Sequence, residues 1–429
     1  MRRQRLAFLT FALLSLALAP PAPAADWPAW RGPHGNGVCD EADLPLRWSA
    51  SENVAWKAPL PGPGNSTPIV SNGRVFLTCA SDKGATRSVL CFDRNTGKVL
   101  WRQDTKFAGE EPTHETNPYC AASPVTDGRR VFASHGSAGV VAYDAADGKP
   151  LWRRDLGPMR HIWGNASSPV IHDNKLVLLC GPGPEARLVA LNPDSGETLW
   201  QNDLQEARGK APDEWKGAWN TPVVLEGDAG AATLALGLPR YVAGFDAATG
   251  KEVWRCRGLS DLVYTNPLVG DGTLVCMSGY GGPALGMRLP KPDETGDLTA
   301  THRLWVVEKN PQRVGSGFVA GKHVYIMNDP GVAECIDART GKQLWKGRAA
   351  NSSWGSMVLS GDRLYVTDQA GQTVVLRATP EKLEVLAENE LGETTRASVA
   401  PSDGQIFIRT YKHLYCIGDA ATAAASKSR

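Results

Sequence analysis

An amphipathic helix of useful length is missing from this sequence, and so is any run or stripe of Lys and Arg. The first absence excludes a helical bundle. The second removes the electrostatic footprint of a nucleic-acid or anionic-membrane binder, since 46 basic against 45 acidic residues leave a formal charge of +1. No Cys-x-x-Cys-His segment occurs, which excludes a covalently attached c-type haem. No cysteine precedes Cys39, so a lipoprotein cleavage site is absent, and the nine cysteines cannot all pair within one chain. What the chain has in quantity is glycine (45), proline (30) and tryptophan (14), the composition of many short strands joined by turns.

Met1 to Ala25 reads as a leader: Arg2, Arg3 and Arg5 make a basic start, Leu6 to Ala19 an apolar core, and Ala22-Pro23-Ala24 a small-residue cleavage site. The apolar core is too short to span a bilayer as a helix. Cleavage is the expectation, an uncleaved anchor the alternative. A cleaved chain is periplasmic or secreted, close to neutral, without a transmembrane segment, and expected to be a monomer. The organisation expected is a signal peptide at 1–25, a strap at 26–52 carrying Trp27, Trp30 and Trp48, repeats over 53–418 and a disordered tail at 419–429.

Seven tryptophans recur in phase, Trp56, Trp101, Trp152, Trp200, Trp254, Trp305 and Trp345, with gaps of 40 to 54 residues. Such a period signals a propeller. One phrase precedes most of them: Asp93-Arg94-Asn95-Thr96-Gly97 before Trp101, Asp144 to Gly148 before Trp152, Asp246-Ala247-Ala248-Thr249-Gly250 before Trp254, Asp337 to Gly341 before Trp345. The carboxylate bonds the amides of a turn and the glycine supplies a positive φ, so the phrase is a hairpin. The turn is preferred to a calcium loop because the glutamate that closes an EF-hand is missing. Upstream lie two more strands, opened by Thr67-Pro68, Ser123-Pro124, Ser168-Pro169, Thr221-Pro222 and Asn266-Pro267, with weaker starts near Phe318, Met357 and Val399.

The fold expected is therefore all-β, an eight-bladed β-propeller, with seven blades as the alternative count. Asn53 to Lys57 is an outer strand without predecessors, and Ser398 to Gly418 gives three strands without a fourth. Pairing them closes the ring and removes two exposed edges. Two blades are irregular: a long insertion at 283–304 precedes Trp305, and Glu384-Val385 takes the place of a seventh-blade tryptophan. Cys91, Cys335 and Cys416 share a column with Ala142, Ala190 and Gly244, a position that wants a small buried side chain. A Cys79–Cys91 bridge is the disulfide the repeat leaves open.

The Asp-x-x-Thr-Gly-Lys-x-x-Trp phrase resembles the tryptophan-docking motif of the pyrroloquinoline-quinone (PQQ) repeat superfamily, the quinoprotein alcohol dehydrogenase-like propellers, over nearly all of residues 53–418. That resemblance implies the architecture, which enzymes and non-enzymes share. In length the chain is nearest to the propeller component of the outer-membrane β-barrel assembly machinery, a scaffold. The quinoprotein enzymes carry adjacent disulfide-linked cysteines, an acidic and amide calcium site and an aspartate base; no two cysteines are adjacent here, and none of those catalytic residues finds a matching position.

Long loops gather on one face, tight turns such as Asn72-Gly73 and Asp127-Gly128 on the other, so binding is expected on the long-loop face. The candidate ligand or partner residues there are His114, Glu115, Asn117, Arg160, His161, Trp163, Asn165, Trp219, Asn220, Tyr264, Asn266, Trp354 and Arg396. Asn65, Asn165, Asn220 and Asn266 either grip a polar ligand at the channel mouth or cap strand-end amides, capping being preferred. The loop tryptophans are interface anchors or loop packing. No ligand spacing links His114-Glu115 to His161, so no metal is expected. The leading functional expectation is a non-catalytic exported scaffold that presents this face to an envelope protein, peptide or polymer, with no nucleic acid and no cofactor. The runner-up is a PQQ- or metal-dependent oxidoreductase, with PQQ and calcium as its cofactors.

Overall fold

Each repeat folds as an antiparallel sheet of four short strands whose order in space follows the chain. The structure, a computed structural model, describes residues 26–183, 185–208, 215–227, 231–312 and 314–418. The leader and tail anticipated at the two ends lie outside them. Blade 1 comprises Ile69–Ser71, Arg74–Ser81, Thr86–Asp93 and Val99–Lys106. Blades 2 to 7 begin in the same way at Val125, Val170, Val223, Leu268, Phe318 and Val358. Blade 8 takes three strands from the end of the repeats, Ala400–Ser402, Gln405–Arg409 and His413–Ile417, and its outer strand from the beginning, Val54–Pro59. Val54 pairs with Ile417 and Trp56 with Cys416, antiparallel, so the ring is closed by hydrogen bonds between the two ends of the repeat array. The count is eight, and seven is set aside.

The middle strands of a blade are covered on both faces by neighbouring sheets. Their apolar residues therefore run continuously, as in Val75, Phe76 and Leu77 or Val89 to Phe92, all buried. Outer strands alternate: in Val99–Lys106 only Trp101 and Thr105 turn fully inward.

The periodic tryptophans staple one blade to the next. Trp56 donates its indole N–H to the carbonyl of Arg94 at 2.8 Å, Trp152 to Pro193 at 2.8 Å, Trp305 to Ala338 at 2.8 Å and Trp345 to Thr379 at 2.9 Å. Trp101 and Trp200 do the same at 3.3 Å with Ala145 and Ala247. Each acceptor belongs to the next blade's hairpin, and the hairpin glycine lies under the ring, Gly148 beneath Trp101 and Gly250 beneath Trp200. Across its own hairpin each tryptophan faces a small residue: Trp101 pairs with Cys91, Trp152 with Ala142, Trp254 with Gly244, Trp345 with Cys335. A Cβ on Gly244 would come within 2.2 Å of the indole of Trp254, which explains the small-residue column.

One open alternative is settled and two expectations are corrected in detail. All nine cysteines are free and buried; Cys91 faces Phe76 and Cys79 faces Ser88, so no Cys79–Cys91 bridge forms. The insertion lies between the strands Ala284–Arg288 and Arg303–Val307, and its Gly296–Asp297 pairs with Trp254 and Arg255 as a fifth strand of blade 4. In blade 7 Ala387, not Glu384-Val385, stands opposite Val375 in the tryptophan position. The next blade closes there with Gly418 bonded to Asn53 rather than with a hairpin, so a docking indole has no turn to meet. Trp48, anchored by its backbone N–H to Asn389 Oδ1 at 2.8 Å, joins Ala387 in the same buried cluster.

Candidate functional site

The innermost strands all begin on the long-loop face, and at that point each blade contributes one small polar side chain to a closed ring of hydrogen bonds. The backbone N–H of Thr67 donates to Ser123 Oγ, that of Ser123 to Ser168 Oγ, that of Ser168 to Thr221 Oγ1 and that of Thr221 to Asn266 Oδ1, at 2.9 to 3.0 Å. The ring continues from Asn266 to Ser316 Oγ, Ser316 to Ser356 Oγ and Ser356 to Ser398 Oγ, and Ser398 returns to Thr67 Oγ1 at 3.2 Å. Strand-starting amides around a narrow axis have no sheet partner. A side-chain oxygen from the next blade satisfies each without water. Four of the first five members precede the prolines of blades 1 to 4 and Asn266 that of blade 5, where proline holds the preceding residue extended.

Residues 27–39 run over the tight-turn end of the axis. Trp27 exchanges backbone hydrogen bonds with Val70 of blade 1 at 2.8 and 2.9 Å, Pro28 accepts from Thr126 of blade 2, and Val38–Cys39 pairs in parallel with Leu359 and Ser360 of blade 7. Buried Arg31 donates to the carbonyl of Gly317 at 3.0 Å beside blade 6; burial lowers its guanidinium to about 10. Trp27 and Trp48 are strap residues packed on the propeller, 2% and 4% exposed. Trp30 differs: from this side it enters the lining of a central cavity.

That cavity, about 240 Å³, lies between the plugged end and the long loops. Ring members Thr67, Ser168, Thr221, Asn266, Ser316, Ser356 and Ser398 line it, with Trp30. Above them stands an aromatic wall. Trp219 stacks on Tyr264 at 4.6 Å and 9°, Trp163 on Tyr280 at 5.6 Å and 12°, and Tyr264 on Tyr280 at 5.4 Å. Trp219 is fixed by its indole N–H to the carbonyl of Gly164 at 2.8 Å and by the edge of His161 at 4.8 Å. Elsewhere on the rim Arg396 lies over Trp354 at 5.0 Å and over Tyr411 at 5.5 Å. Its Nε donates to Gln369 Oε1 at 2.6 Å and one terminal nitrogen to the Tyr411 hydroxyl. No carboxylate among the described residues lies within ion-pair distance of Arg396, and none lines the cavity.

Of the thirteen residues singled out from the sequence, the cavity brings together His114, Asn117, Trp163, Trp219, Tyr264, Asn266, Trp354 and Arg396. Five stand apart. Glu115 and Arg160 are exposed away from it, and His161 is buried behind Trp219. Asn165 donates to Glu111 Oε1 and the carbonyl of Met159, joining a buried network in which Arg87 pairs with Glu111 at 3.1 Å. Asn220 exchanges hydrogen bonds with the backbone of Gly237, 2.6 and 3.2 Å. Asn65, likewise, holds the carbonyl of Thr116 at 2.8 Å. Of these four asparagines only Asn266 caps the amide at a strand start, that of Thr221; Asn220 clasps the backbone of Gly237 within a strand, and Asn65 and Asn165 donate to acceptors instead of capping an amide. Sequence reasoning missed Trp30, Tyr280 and the ring hydroxyls; the recurring Ser/Thr-Pro dipeptides were the signal for the last.

The cavity's donors do not fit calcium: among the described residues its lining holds no Asp, Glu or Cys, and no group of three His, Cys, Asp or Glu stands together anywhere. Among the described residues the lining also holds no carboxylate base and no vicinal disulfide against which a quinone would lie. Flat rings and a cation are present, the metal ligands are not. No helix among the described residues is long and apolar enough to cross a membrane.

Eight radial sheets, bonded through tryptophan indoles at six of their junctions, and an axial cavity behind long loops define a tryptophan-docked β-propeller of the PQQ-repeat class. The profile of the family described as outer membrane protein assembly factor BamB matches residues 46–106, 185–285 and 241–386, more than half of the chain, and the chain belongs to that family. Among individual proteins, the BamB of Shewanella oneidensis is 24% identical over 313 residues, covering 70% of this chain and 69% of that one. A polyvinylalcohol dehydrogenase of a Pseudomonas species is 29% identical over 162 residues, 34% of this chain, and the chain spans only 24% of its length. Quinoprotein alcohol dehydrogenase PedH of Pseudomonas putida is 26% identical over 145 residues, 32% of this chain and 23% of that one. The crystal structure of BamB from Moraxella catarrhalis superposes with a TM-score of 0.54 at 17% identity, covering 85% of this chain and 97% of that one. A europium-containing methanol dehydrogenase gives 0.65 at 10% identity, covering 92% and 98%. At such identities the structural likeness concerns the fold alone.

Proposed function

We propose that this protein is an exported, non-catalytic binding propeller of the cell envelope that works without a cofactor and presents its long-loop face to a partner. The carrying observation is the contrast between its two ends. The tight-turn end is sealed by residues 27–39. The long-loop end opens on a cavity beside which large apolar side chains stay in solvent: Trp215 is 52% exposed and Ile162 46%, next to half-buried Trp163. Exposed aromatics around a concavity are the usual anchors of recognition. The name of the relatives, an outer membrane assembly factor, supports the compartment.

Photo-crosslinkers placed at Ile162 and Trp215 test this in cells of the source organism. Adducts to a defined envelope component from these two positions, and none from Asp127 on the sealed face, are expected. Adducts only from Asp127, or none from any position, reject the assigned face. Dye-linked alcohol or sugar oxidation after incubation with PQQ and calcium would reject the non-catalytic reading.

A further inference from the structure

The lining of the axial cavity is mostly apolar and aromatic, with its polar atoms gathered on the ring and at Arg396. Six ring hydroxyls face it, Thr67, Ser168, Thr221, Ser316, Ser356 and Ser398. Each oxygen already accepts a backbone N–H, and each hydroxyl proton has no acceptor among the described residues. The buried indole N–H of Trp354 has no partner either, while Asn65 and Asn117 each leave a buried amide oxygen unpaired. Ring hydroxyls with unused protons therefore face one small chamber, and the unpaired Trp354 N–H and the Asn65 and Asn117 oxygens are buried within residues of its wall.

An apolar peptide side chain seated against the ring would leave its hydroxyl protons facing carbon, at the cost of buried unpaired donors. A hydroxyl meets donors and acceptors alike, because it donates and accepts. The aromatic wall adds a platform for the C–H face of a saturated ring. Arg396 adds charge: Trp354 and Tyr411 pin its guanidinium, Gln369 and Tyr411 take two of its nitrogens, and the remaining terminal nitrogen makes no hydrogen bond to the protein. With no carboxylate in the lining, that edge is a receptor for an anionic oxygen.

From this chemistry we infer that the cavity binds a carboxylated sugar, a uronic-acid unit of an envelope or extracellular polysaccharide, with its hydroxyls toward the ring and Trp354 and its carboxylate on Arg396. The inference rests on the reading of the long-loop face as the binding face and names the chemistry of its partner. Trp163 and Tyr280, at the cavity's outer edge, carry the next unit of the chain.

The test is titration of the purified protein with a panel of monomeric and oligomeric uronates, matched neutral sugars, an acidic peptide and PQQ. Binding is read by tryptophan fluorescence and calorimetry. Uronates are expected to bind, and matched neutral sugars to bind roughly ten-fold or more weakly. Arg396→Gln should abolish that preference while leaving the weaker neutral binding in place, and Arg396→Lys should restore part of it. Trp354→Phe keeps the ring, removes the N–H and should weaken both classes. Circular dichroism and melting of each variant separate lost binding from lost folding. If no uronate binds, if neutral sugars bind equally, or if PQQ or the peptide binds in their place, the assignment is overturned. Crosslinking from Ile162 and Trp215 that persists beside a negative titration would sink this assignment alone; its disappearance would sink the face itself.

Discussion

Replacing Gly250 by alanine should destabilise the propeller several times more than replacing Gly272, although both glycines have almost the same left-handed backbone, φ 71° and 68°. For alanine that conformation costs about 1 kcal/mol at either site. Around Gly272 an added Cβ meets nothing within 4 Å, so the backbone cost is the whole effect. At Gly250 it would stand 2.3 Å from Cε3 of Trp200 and 2.7 Å from two further indole atoms. Carbon pairs rest at about 3.5 Å or more, so the indole must retreat by roughly 1 Å. It then gives up its contact with the hairpin and strains its hydrogen bond to Ala247, already 3.3 Å long. Overpacking of this kind costs roughly 1–3 kcal/mol and a lost hydrogen bond about 1 kcal/mol, which brings Gly250→Ala to about 3–5 kcal/mol. The assay is urea unfolding of both variants and of a double-mutant cycle with Trp200→Ala. Without the indole, the alanine should cost no more than at Gly272, a coupling of about 2 kcal/mol or more. Equal costs at the two glycines, or a Gly250→Ala cost indifferent to Trp200, would refute the claim that each indole is wedged on the next blade's turn.

Closure of the ring makes a second prediction: deleting residues 50–60 removes the outer strand of blade 8 and five of its pairings, from Val54↔Ile417 to Pro59↔His413, so the melting temperature should fall sharply. An unchanged transition would contradict closure by this strand. A third concerns acid. Burial works to raise Glu393, but hydrogen bonds from Thr410, His413 and Lys57 outweigh it and bring its carboxyl from 4.5 down to about 2. A carboxylate depressed by folding stabilises fully above its unfolded value, near pH 4.5, and the contribution, up to about 3 kcal/mol, fades as pH falls toward 2. Glu393→Gln should therefore flatten the pH dependence of stability between pH 5 and 2; a slope matching wild type would show that this carboxylate does not fasten the closing strand's Lys57.

The repeat phrase carried the architecture because it is local. A hairpin needs Asp, Gly and Trp at set intervals, and a chain that repeats them has one economical way to bury both faces of every sheet: stack the copies about an axis. The closing strand was legible for the same reason, since an outer strand without predecessors and three strands without a successor complete each other. The degenerate blades were less legible. Whether Ala387 or Glu384-Val385 stood in the tryptophan position depended on a β-bulge between Val375 and Leu376, which shifts the register by one residue and leaves no mark in composition.

The cavity belongs to the tertiary structure. His114, Trp163, Trp219, Tyr264, Trp354 and Arg396 were visible as loop residues of one face, but nothing in their spacing distinguished them from Glu115, Arg160 or Asn165, which point elsewhere. Which side chains converge is settled by loops from six blades meeting at an axis, a geometry with no linear period. Trp30 shows this most plainly, for a residue in the strap at 26–52 reaches the axial cavity only because that segment passes across the closed ring. The sequence determined the blades and their order; only the folded ring decided which residues share the space at its centre, because that space exists only once the eighth blade has met the first.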